Sequence, residues 1–116
     1  MKHYPHLLLD IQEHTALVTL SNPPANTWNS DSLHGLIELV HDLNANRDIY
    51  ALVLTGEGSK FFSAGADLNL FADGNPAMAR KMARLFGQAF ETLTDFRGVS
   101  IAAINGYAMG GGLEVA

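Results

Sequence analysis

The chain has 116 residues, of which 47% are hydrophobic and 16% charged, a composition typical of one small globular domain. A net charge of -5 without any basic run argues against nucleic acid or an anionic membrane as a partner, and the absence of cysteine excludes disulfides, thiolate metal sites and a cysteine nucleophile. No apolar run reaches the length of a transmembrane helix, and the first ten residues are too polar for a signal peptide, so a cytoplasmic protein is the default expectation.

The first part of the chain predicts two strands followed by a helix. Short β-rich runs predict strands over Leu7–Gln12 and Thr15–Leu20, joined as a hairpin by a polar break. Prolines and asparagines predict a loop over residues 21–29, after which Ser30 or Asp31 is predicted to cap a helix. The apolar stripe of that helix comprises Leu33, Leu36, Ile37, Val40 and Leu43.

The remaining elements alternate between strands and helices. Residues 51–55 predict a buried strand, residues 56–66 a loop, and Asp67 the start of a helical turn. A second strand is predicted over residues 100–104, followed by a turn at residues 105–106. The long helix between these strands has an apolar stripe of Met78, Met82, Leu85, Phe86, Ala89, Phe90, Leu93 and Phe96. The order predicts an α/β layered fold, although periodicity alone leaves a spiral of ββα units and a doubly wound sheet both open.

Two glycine-rich segments follow the predicted strands at residues 61–68, Phe-Phe-Ser-Ala-Gly-Ala-Asp-Leu, and at residues 105–114, Asn-Gly-Tyr-Ala-Met-Gly-Gly-Gly-Leu-Glu. Each can offer backbone N–H groups at the end of a strand, and two such donors facing one point make an oxyanion hole. Glu114 stands beside the second segment as a possible acid/base. This arrangement suits a reaction in which a carbonyl becomes an enolate.

Together with the Asn-Pro-Pro-Ala-Asn segment at residues 22–26, these two segments strongly resemble the crotonase superfamily, also called the enoyl-CoA hydratase/isomerase family. The resemblance extends over about residues 17–116. It implies an α/β fold, the N-terminal portion of a crotonase-like spiral of ββα units, and assembly as a homotrimer or a dimer of trimers. Residues 1–116 would then be the N-terminal part of a single domain, truncated after the Gly-Gly-Gly-x-Glu motif. A short relative completed by a partner chain is the alternative.

The resemblance also implies catalytic roles for three residues. The N–H groups of Ala64 and Gly111 would hold the thioester oxygen, and Glu114 would activate water, while a second glutamate past Ala116 would protonate C2. Gly111 lies near a predicted helix start, where unpaired N–H groups favour an anion. The alternatives are a tight surface loop at Ala64, close backbone packing at residues 110–112, and a first-turn glutamate that merely suits the helix dipole.

Further contacts with the coenzyme A part of the substrate are implied. The backbone of Asp67 and Leu68 would pass the adenine, and Ala25 and Asn26 would line the pantetheine channel. Lys60 would approach a phosphate or remain a solvated loop residue. The full set predicted to bind substrate comprises Ala25, Asn26, Lys60, Ala64, Gly65, Ala66, Asp67, Leu68 and Gly111.

The sequence therefore predicts an enoyl-CoA hydratase, a lyase that adds water across the 2,3-double bond of an acyl-CoA thioester. Coenzyme A would enter as part of the substrate, with no metal and no separate cofactor. Another superfamily activity is the first alternative, because an enoyl-CoA isomerase or an acyl-CoA decarboxylase keeps the same oxyanion hole. A non-catalytic fragment that binds acyl-CoA or a partner subunit is the second.

Overall fold

A computed structural model describes residues 2–67 and 74–116. In this part of the chain the elements are β1 (Leu7–Gln12), β2 (Thr15–Leu20), β3 (Thr27–Trp28), α1 (Ser30–Ala45), β4 (Ala51–Gly56), β5 (Phe61–Ser63), β6 (Gly65–Ala66), α2 (Pro76–Thr94), β7 (Val99–Ala102), β8 (Tyr107–Ala108) and α3 (Gly111–Val115). The helical turn predicted to start at Asp67 falls mostly outside the described residues, as does Leu68.

The main sheet has four strands in the order β1-β2-β4-β7. The hairpin of β1 and β2 is antiparallel, whereas β4 pairs in parallel with β2 on one side and with β7 on the other. Parallel neighbours require crossover connections, and α1 and α2 lie in these connections. The predicted α/β class is therefore confirmed.

Helix α1 begins one residue earlier than predicted, because Asn29 is its N-cap rather than Ser30 or Asp31. The Asn29 side chain accepts a hydrogen bond from the Ser32 N–H at 2.8 Å, and the Ser32 hydroxyl accepts one from the Asn29 N–H at 2.9 Å. This reciprocal pair satisfies N–H groups that the first turn leaves unpaired. The buried apolar face of the helix comprises Leu33, Leu36, Leu39, Val40 and Leu43.

Helix α2 is capped by Asn75 and has Pro76 at its first position, where a missing N–H is harmless. Most of the stripe predicted for this helix packs into the core, but Met78 at its start is exposed. The buried members of the stripe are Met82, Leu85, Ala89, Leu93 and Phe96. Helices α1 and α2 pack against each other.

Four very short strands, β3, β5, β6 and β8, occur where the sequence predicted loops or no element. Strand β3 pairs in parallel with β6, and β5 pairs in parallel with β8. Segments of two or three residues are too short to show a period, so pairing with distant segments decides their structure. Among the described helices none is both long and apolar enough to cross a membrane. Exposed large apolar side chains are frequent near the end of the chain, at Val99, Ile101, Ile104, Tyr107, Met109 and Leu113.

Candidate functional site

The first glycine-rich segment forms β5, β6 and the connection between them, and the backbone donors of Ala64 and Gly65 are already engaged. The Ala64 N–H donates to the Ala25 carbonyl at 2.9 Å, and the Gly65 N–H donates to the Ser63 hydroxyl at 3.2 Å. The prediction that Ala64 offers an open donor is therefore wrong, because its N–H is used to hold the preceding loop.

Ala66, unlike Ala64, offers a backbone N–H on the side of the second glycine-rich segment. Asp67, the next residue, donates its N–H to the Trp28 carbonyl on β3 at 2.9 Å. Successive residues of a strand direct their N–H groups to opposite edges. The N–H of Ala66 therefore points away from β3. On that side its nitrogen lies 3.6 Å from the position that a Cβ atom on Gly111 would occupy.

The second glycine-rich segment is placed against the first by strand pairing. The Tyr107 N–H donates to the Lys60 carbonyl at 2.9 Å, and the Met109 N–H donates to the Ser63 carbonyl at 3.0 Å. Helix α3 then starts at Gly111. The N–H of a first helical residue has no acceptor within its own helix, so Gly111 can offer a donor beside Ala66.

Gly65 makes this close approach possible. Its φ of +97° lies in the left-handed region, which favours glycine. A Cβ atom here would stand 2.9 Å from both the Gly111 nitrogen and the Met109 oxygen, closer than side chains tolerate. Only a residue without a side chain lets the two segments approach in this way.

Glu114 lies three residues after Gly111 on α3 and is exposed. Glu114 lies within one turn of Gly111, and side chains on a helix lean toward its N-terminus. The Glu114 N–H donates to the Gly110 carbonyl at 3.0 Å, which fixes the residue within the helix. The segment thus carries a possible acid/base within one turn of the Gly111 donor.

Sequence reasoning missed an aromatic wall beside the donors. Cε1 of Phe86 lies 3.3 Å from the Cβ position of Gly111. The Phe86 ring meets Phe90 edge-on at 5.6 Å between centroids, and Phe90 meets Trp28 edge-on at 5.9 Å. The i, i+4 spacing of the two phenylalanines was visible, but it indicated only core packing. An apolar wall strengthens hydrogen bonds to a developing negative charge because it excludes water.

The residues predicted to contact coenzyme A differ in burial, since Asn26 is buried and Lys60 is exposed. Asn26 is only 2% exposed, and its amide donates to the Glu57 and Phe61 carbonyls, each at 3.0 Å. Its side chain therefore stabilises the loop before β5 rather than lining an open channel. Lys60 is exposed, with its ammonium 5.6 Å from the centre of the Phe61 ring.

Two of the other predicted contacts, Ala25 and Asp67, lie within the described residues. Ala25 and Asp67 are both half-buried, and Asp67 follows the donor-bearing strand directly. Leu68 is outside the described residues. Within residues 2–67 and 74–116, no group of three or more histidine, aspartate or glutamate side chains is placed to hold a metal ion.

A separate cleft of about 500 Å³ lies between the start of α1 and the first half of α2. Its described lining comprises Ser30, His34, Met78, Lys81, Met82, Arg84, Leu85 and Gln88. This lining does not include Ala66, Gly111 or Glu114, so the cleft is distinct from the donor pair.

Comparison with known proteins identifies the class of protein that this fold and this pair of segments define. The profile of the enoyl-CoA hydratase/isomerase family matches residues 10–116. The chain therefore belongs to the enoyl-CoA hydratase/isomerase family, and its fold is the N-terminal portion of the crotonase fold.

Individual relatives agree with this assignment. The chain is 35% identical to the short-chain-enoyl-CoA hydratase of Clostridium acetobutylicum over 96% of its own length and 43% of the relative's. It is 32% identical to the crotonyl-CoA hydratase of Syntrophomonas wolfei over 97% of its length and 44% of the relative's. The solved structure of DspI from Pseudomonas aeruginosa is similar with a TM-score of 0.95 and 68% identity, covering 97% of this chain and 46% of that one. The chain thus spans less than half the length of these relatives.

Proposed function

We propose that the protein is an enoyl-CoA hydratase that binds the thioester carbonyl of its substrate between the N–H groups of Ala66 and Gly111. One observation carries the proposal. These two backbone donors approach each other from different segments, and Glu114 lies within one helical turn of one of them. The relatives named as hydratases support the choice of reaction, because they share this portion of the fold at 32% to 35% identity.

The chemistry follows from the placement of these groups. As water adds to C3, negative charge develops on the thioester oxygen, and two preorganised N–H groups stabilise the resulting enolate. The carboxylate of Glu114 removes a proton from the water as a general base. Removing one N–H donor from such an oxyanion hole typically lowers the reaction rate by about 10²- to 10³-fold. The thioester itself accepts the electron pair, and coenzyme A is part of the substrate.

The proposal also extends to the rest of the protein. It includes a second acid that protonates C2 from outside residues 1–116, and it treats these residues as the N-terminal part of one crotonase-like domain. Assembly as a homotrimer or a dimer of trimers belongs to the same proposal. The exposed apolar side chains Val99, Ile101 and Leu113 fit burial against further protein, which the remainder of the domain or a second subunit would supply.

Hydration of crotonyl-CoA, followed as the loss of enoyl-thioester absorbance, tests the proposal. The protein is compared with Glu114→Gln and with Glu91→Gln, which changes an exposed glutamate on α2. We expect activity in the protein and in Glu91→Gln, and a loss of at least about 100-fold in Glu114→Gln. Equal activity in both variants would contradict the role of Glu114. Tight binding of acyl-CoA by the protein without any hydration would contradict the hydratase assignment and favour a binding role.

A further inference from the structure

We propose that Asn105 is a positioning residue that holds the two donor-bearing segments at a fixed separation. Asn105 lies between β7 and β8, six residues before Gly111. The groups that its side chain contacts lie at the end of β4 and in the loop that connects β4 to β5. This loop leads on to Ala66. The inference rests on the proposed function for the role of the two donors.

The Asn105 amide is fully engaged with groups at the end of β4 and in that loop, among them the Thr55 hydroxyl, which donates to Oδ1 at 3.3 Å. Its Oδ1 accepts a hydrogen bond from the Gly56 N–H at 3.0 Å, and its Nδ2 donates to the Gly56 carbonyl at 2.8 Å and the Gly58 carbonyl at 2.9 Å. A further contact from Nδ2 reaches the Phe61 carbonyl at 3.4 Å. An asparagine amide carries both donors and acceptors, and here both kinds are used. One side chain therefore fixes the path of the loop where it leaves β4 and where it enters β5.

The residues after Asn105 continue this attachment. A Cβ atom on Gly106 would lie 2.3 Å from the Lys60 carbonyl oxygen, so the two backbones touch at this point. The Tyr107 N–H donates to the same carbonyl. Asn26 holds the loop from its other side, since its amide donates to the Phe61 carbonyl at 3.0 Å. The start of β5 is thus held by two asparagine amides, and only Asn105 also leads directly into the Gly111 segment.

The consequence concerns distance rather than direct contact with substrate. An oxyanion hole acts only when both donors stand within hydrogen-bond distance of one oxygen. A displacement of about 1 Å in a reacting group can lower the rate by about 10²-fold. Without the Asn105 amide, the loop before β5 can shift relative to β8, and Ala66 then moves relative to Gly111 while the main sheet stays intact.

Proton NMR distances test this inference without substrate or turnover. The Gly111 nitrogen lies 2.9 Å from the Cβ position of Gly65, so a nuclear Overhauser effect between a Gly65 Hα and the Gly111 amide proton reports the separation of the two segments. Effects between the paired strands β1 and β2, for example Leu9 with Val18, report the integrity of the sheet. The variants are Asn105→Ala and Asn105→Asp, the second of which keeps the acceptor and loses the donated hydrogen bonds.

Asn44→Ala is the matched control. The Asn44 side chain also bridges distant backbone groups, since it accepts from the Arg97 N–H at 2.9 Å and donates to the Asp95 carbonyl at 3.4 Å, but it lies far along the chain from both donors. We expect the Gly65–Gly111 effect to disappear or weaken severalfold in both Asn105 variants. It should persist in Asn44→Ala, and the sheet effects should persist in all three. In hydration of crotonyl-CoA, we expect kcat of Asn105→Asp to fall at least about tenfold, with KM nearly unchanged.

Three results would overturn the inference. The first is retention of the Gly65–Gly111 effect in both Asn105 variants. The second is its loss together with the sheet effects, which would make Asn105 a general determinant of stability. The third is an equal loss in Asn44→Ala. None of these results depends on catalysis, so a protein that fails to hydrate crotonyl-CoA would contradict the proposed function while leaving this test intact.

Discussion

The backbone nitrogen of Ala66 lies 3.6 Å from the position that a Cβ atom on Gly111 would occupy. A methyl group at that position would therefore stand in ordinary van der Waals contact with the nitrogen that we assign as a donor. A substrate oxygen needs to approach the same nitrogen within about 3 Å. The methyl group and the oxygen would compete for one space.

The substitution Gly111→Ala should consequently slow catalysis strongly while leaving the fold intact. The other nearest atoms are Cε1 of Phe86 at 3.3 Å and Cα of Gly65 at 3.5 Å, so the methyl group fits after a small shift of the Phe86 ring. We expect kcat for crotonyl-CoA hydration to fall by about 10²-fold or more, with a melting temperature within a few degrees of the parent protein.

The control for that variant is Gly87→Ala, on an exposed part of α2 where a Cβ atom meets nothing within 4 Å. Alanine at this position should raise the free energy of unfolding by about 0.5–1 kcal/mol and leave kcat unchanged. Full activity in Gly111→Ala would show that the space beside Ala66 is not used by the substrate.

The substitution Gly65→Ala should instead destabilise the fold. Its backbone is left-handed, and the added methyl group would lie 2.9 Å from two backbone atoms of the second segment. We expect the free energy of unfolding to fall by about 1–3 kcal/mol or more. Urea denaturation followed by the emission of Trp28, the only tryptophan and one that is 0% exposed, measures this change. An unfolding midpoint equal to that of Gly111→Ala would contradict the close approach at Gly65.

The N-terminal segment is held to α1 by charged hydrogen bonds. The Tyr4 hydroxyl donates to the Asp42 carboxylate at 2.6 Å, and the Lys2 ammonium lies 2.9 Å from the same carboxylate. Burial, followed by the hydrogen bond to Asp42, raises the pKa of Tyr4 to about 12. The hydrogen bonds from Tyr4 and Lys2 lower the pKa of Asp42 below its ordinary value of 3.8.

These two shifts give opposite pH dependences of stability. Because the pKa of Tyr4 is raised, its contribution is complete below an ordinary tyrosine pKa of about 10 and is lost as the pH rises through 12. Because the pKa of Asp42 is lowered, its contribution is present above pH 3.8 and is lost as the pH falls through the depressed value.

The substitution Tyr4→Phe should therefore cost about 1 kcal/mol at pH 7 and flatten the loss of stability between about pH 10 and 12. Urea denaturation at pH 7, 10 and 11 measures both effects. His41→Ala, on an exposed part of the same helix, is the control. Parallel stability curves for Tyr4→Phe and the parent protein above pH 10 would contradict the assignment.

The cap of α1 gives a prediction that separates neighbouring residues. Asn29→Ala removes the acceptor for the Ser32 N–H and should lower the free energy of unfolding by about 1 kcal/mol. Ser30→Ala changes a partly buried residue that does not cap the helix, and its effect should stay within about 0.5 kcal/mol. A larger loss for Ser30→Ala than for Asn29→Ala would restore the cap predicted from the sequence.

The extent to which the sequence predicts this protein depends on the length of each element. The hairpin and both long helices follow from periodicity, because the stripe from Leu33 to Leu43 repeats over several turns. The strand Thr27–Trp28 has only two residues and exists because it pairs with Gly65 and Ala66, far along the chain. No local pattern can indicate such a pairing.

The same limit explains the error at Ala64. The sequence Ser-Ala-Gly-Ala places a small residue on each side of Gly65, and both have the size that a close ligand requires. Which of the two offers its N–H depends on the register of β6 against β3, which engages Asp67 with Trp28 and turns Ala66 toward Gly111. By contrast, the predictions for Gly111 and Glu114 do not depend on such a pairing, because both residues lie within one short segment.

The most direct test of the central claim is a comparison of backbone amide shifts on binding of two ligands that differ in one oxygen. Butyryl-CoA carries the thioester carbonyl and no double bond to hydrate, whereas S-butyl-CoA is the matching thioether. We predict that butyryl-CoA moves the amide protons of Ala66 and Gly111 downfield, that S-butyl-CoA does not, and that the Ala64 proton stays in place on the Ala25 carbonyl in both. A downfield shift at Ala64 without one at Ala66, or equal shifts with the two ligands, would contradict the account.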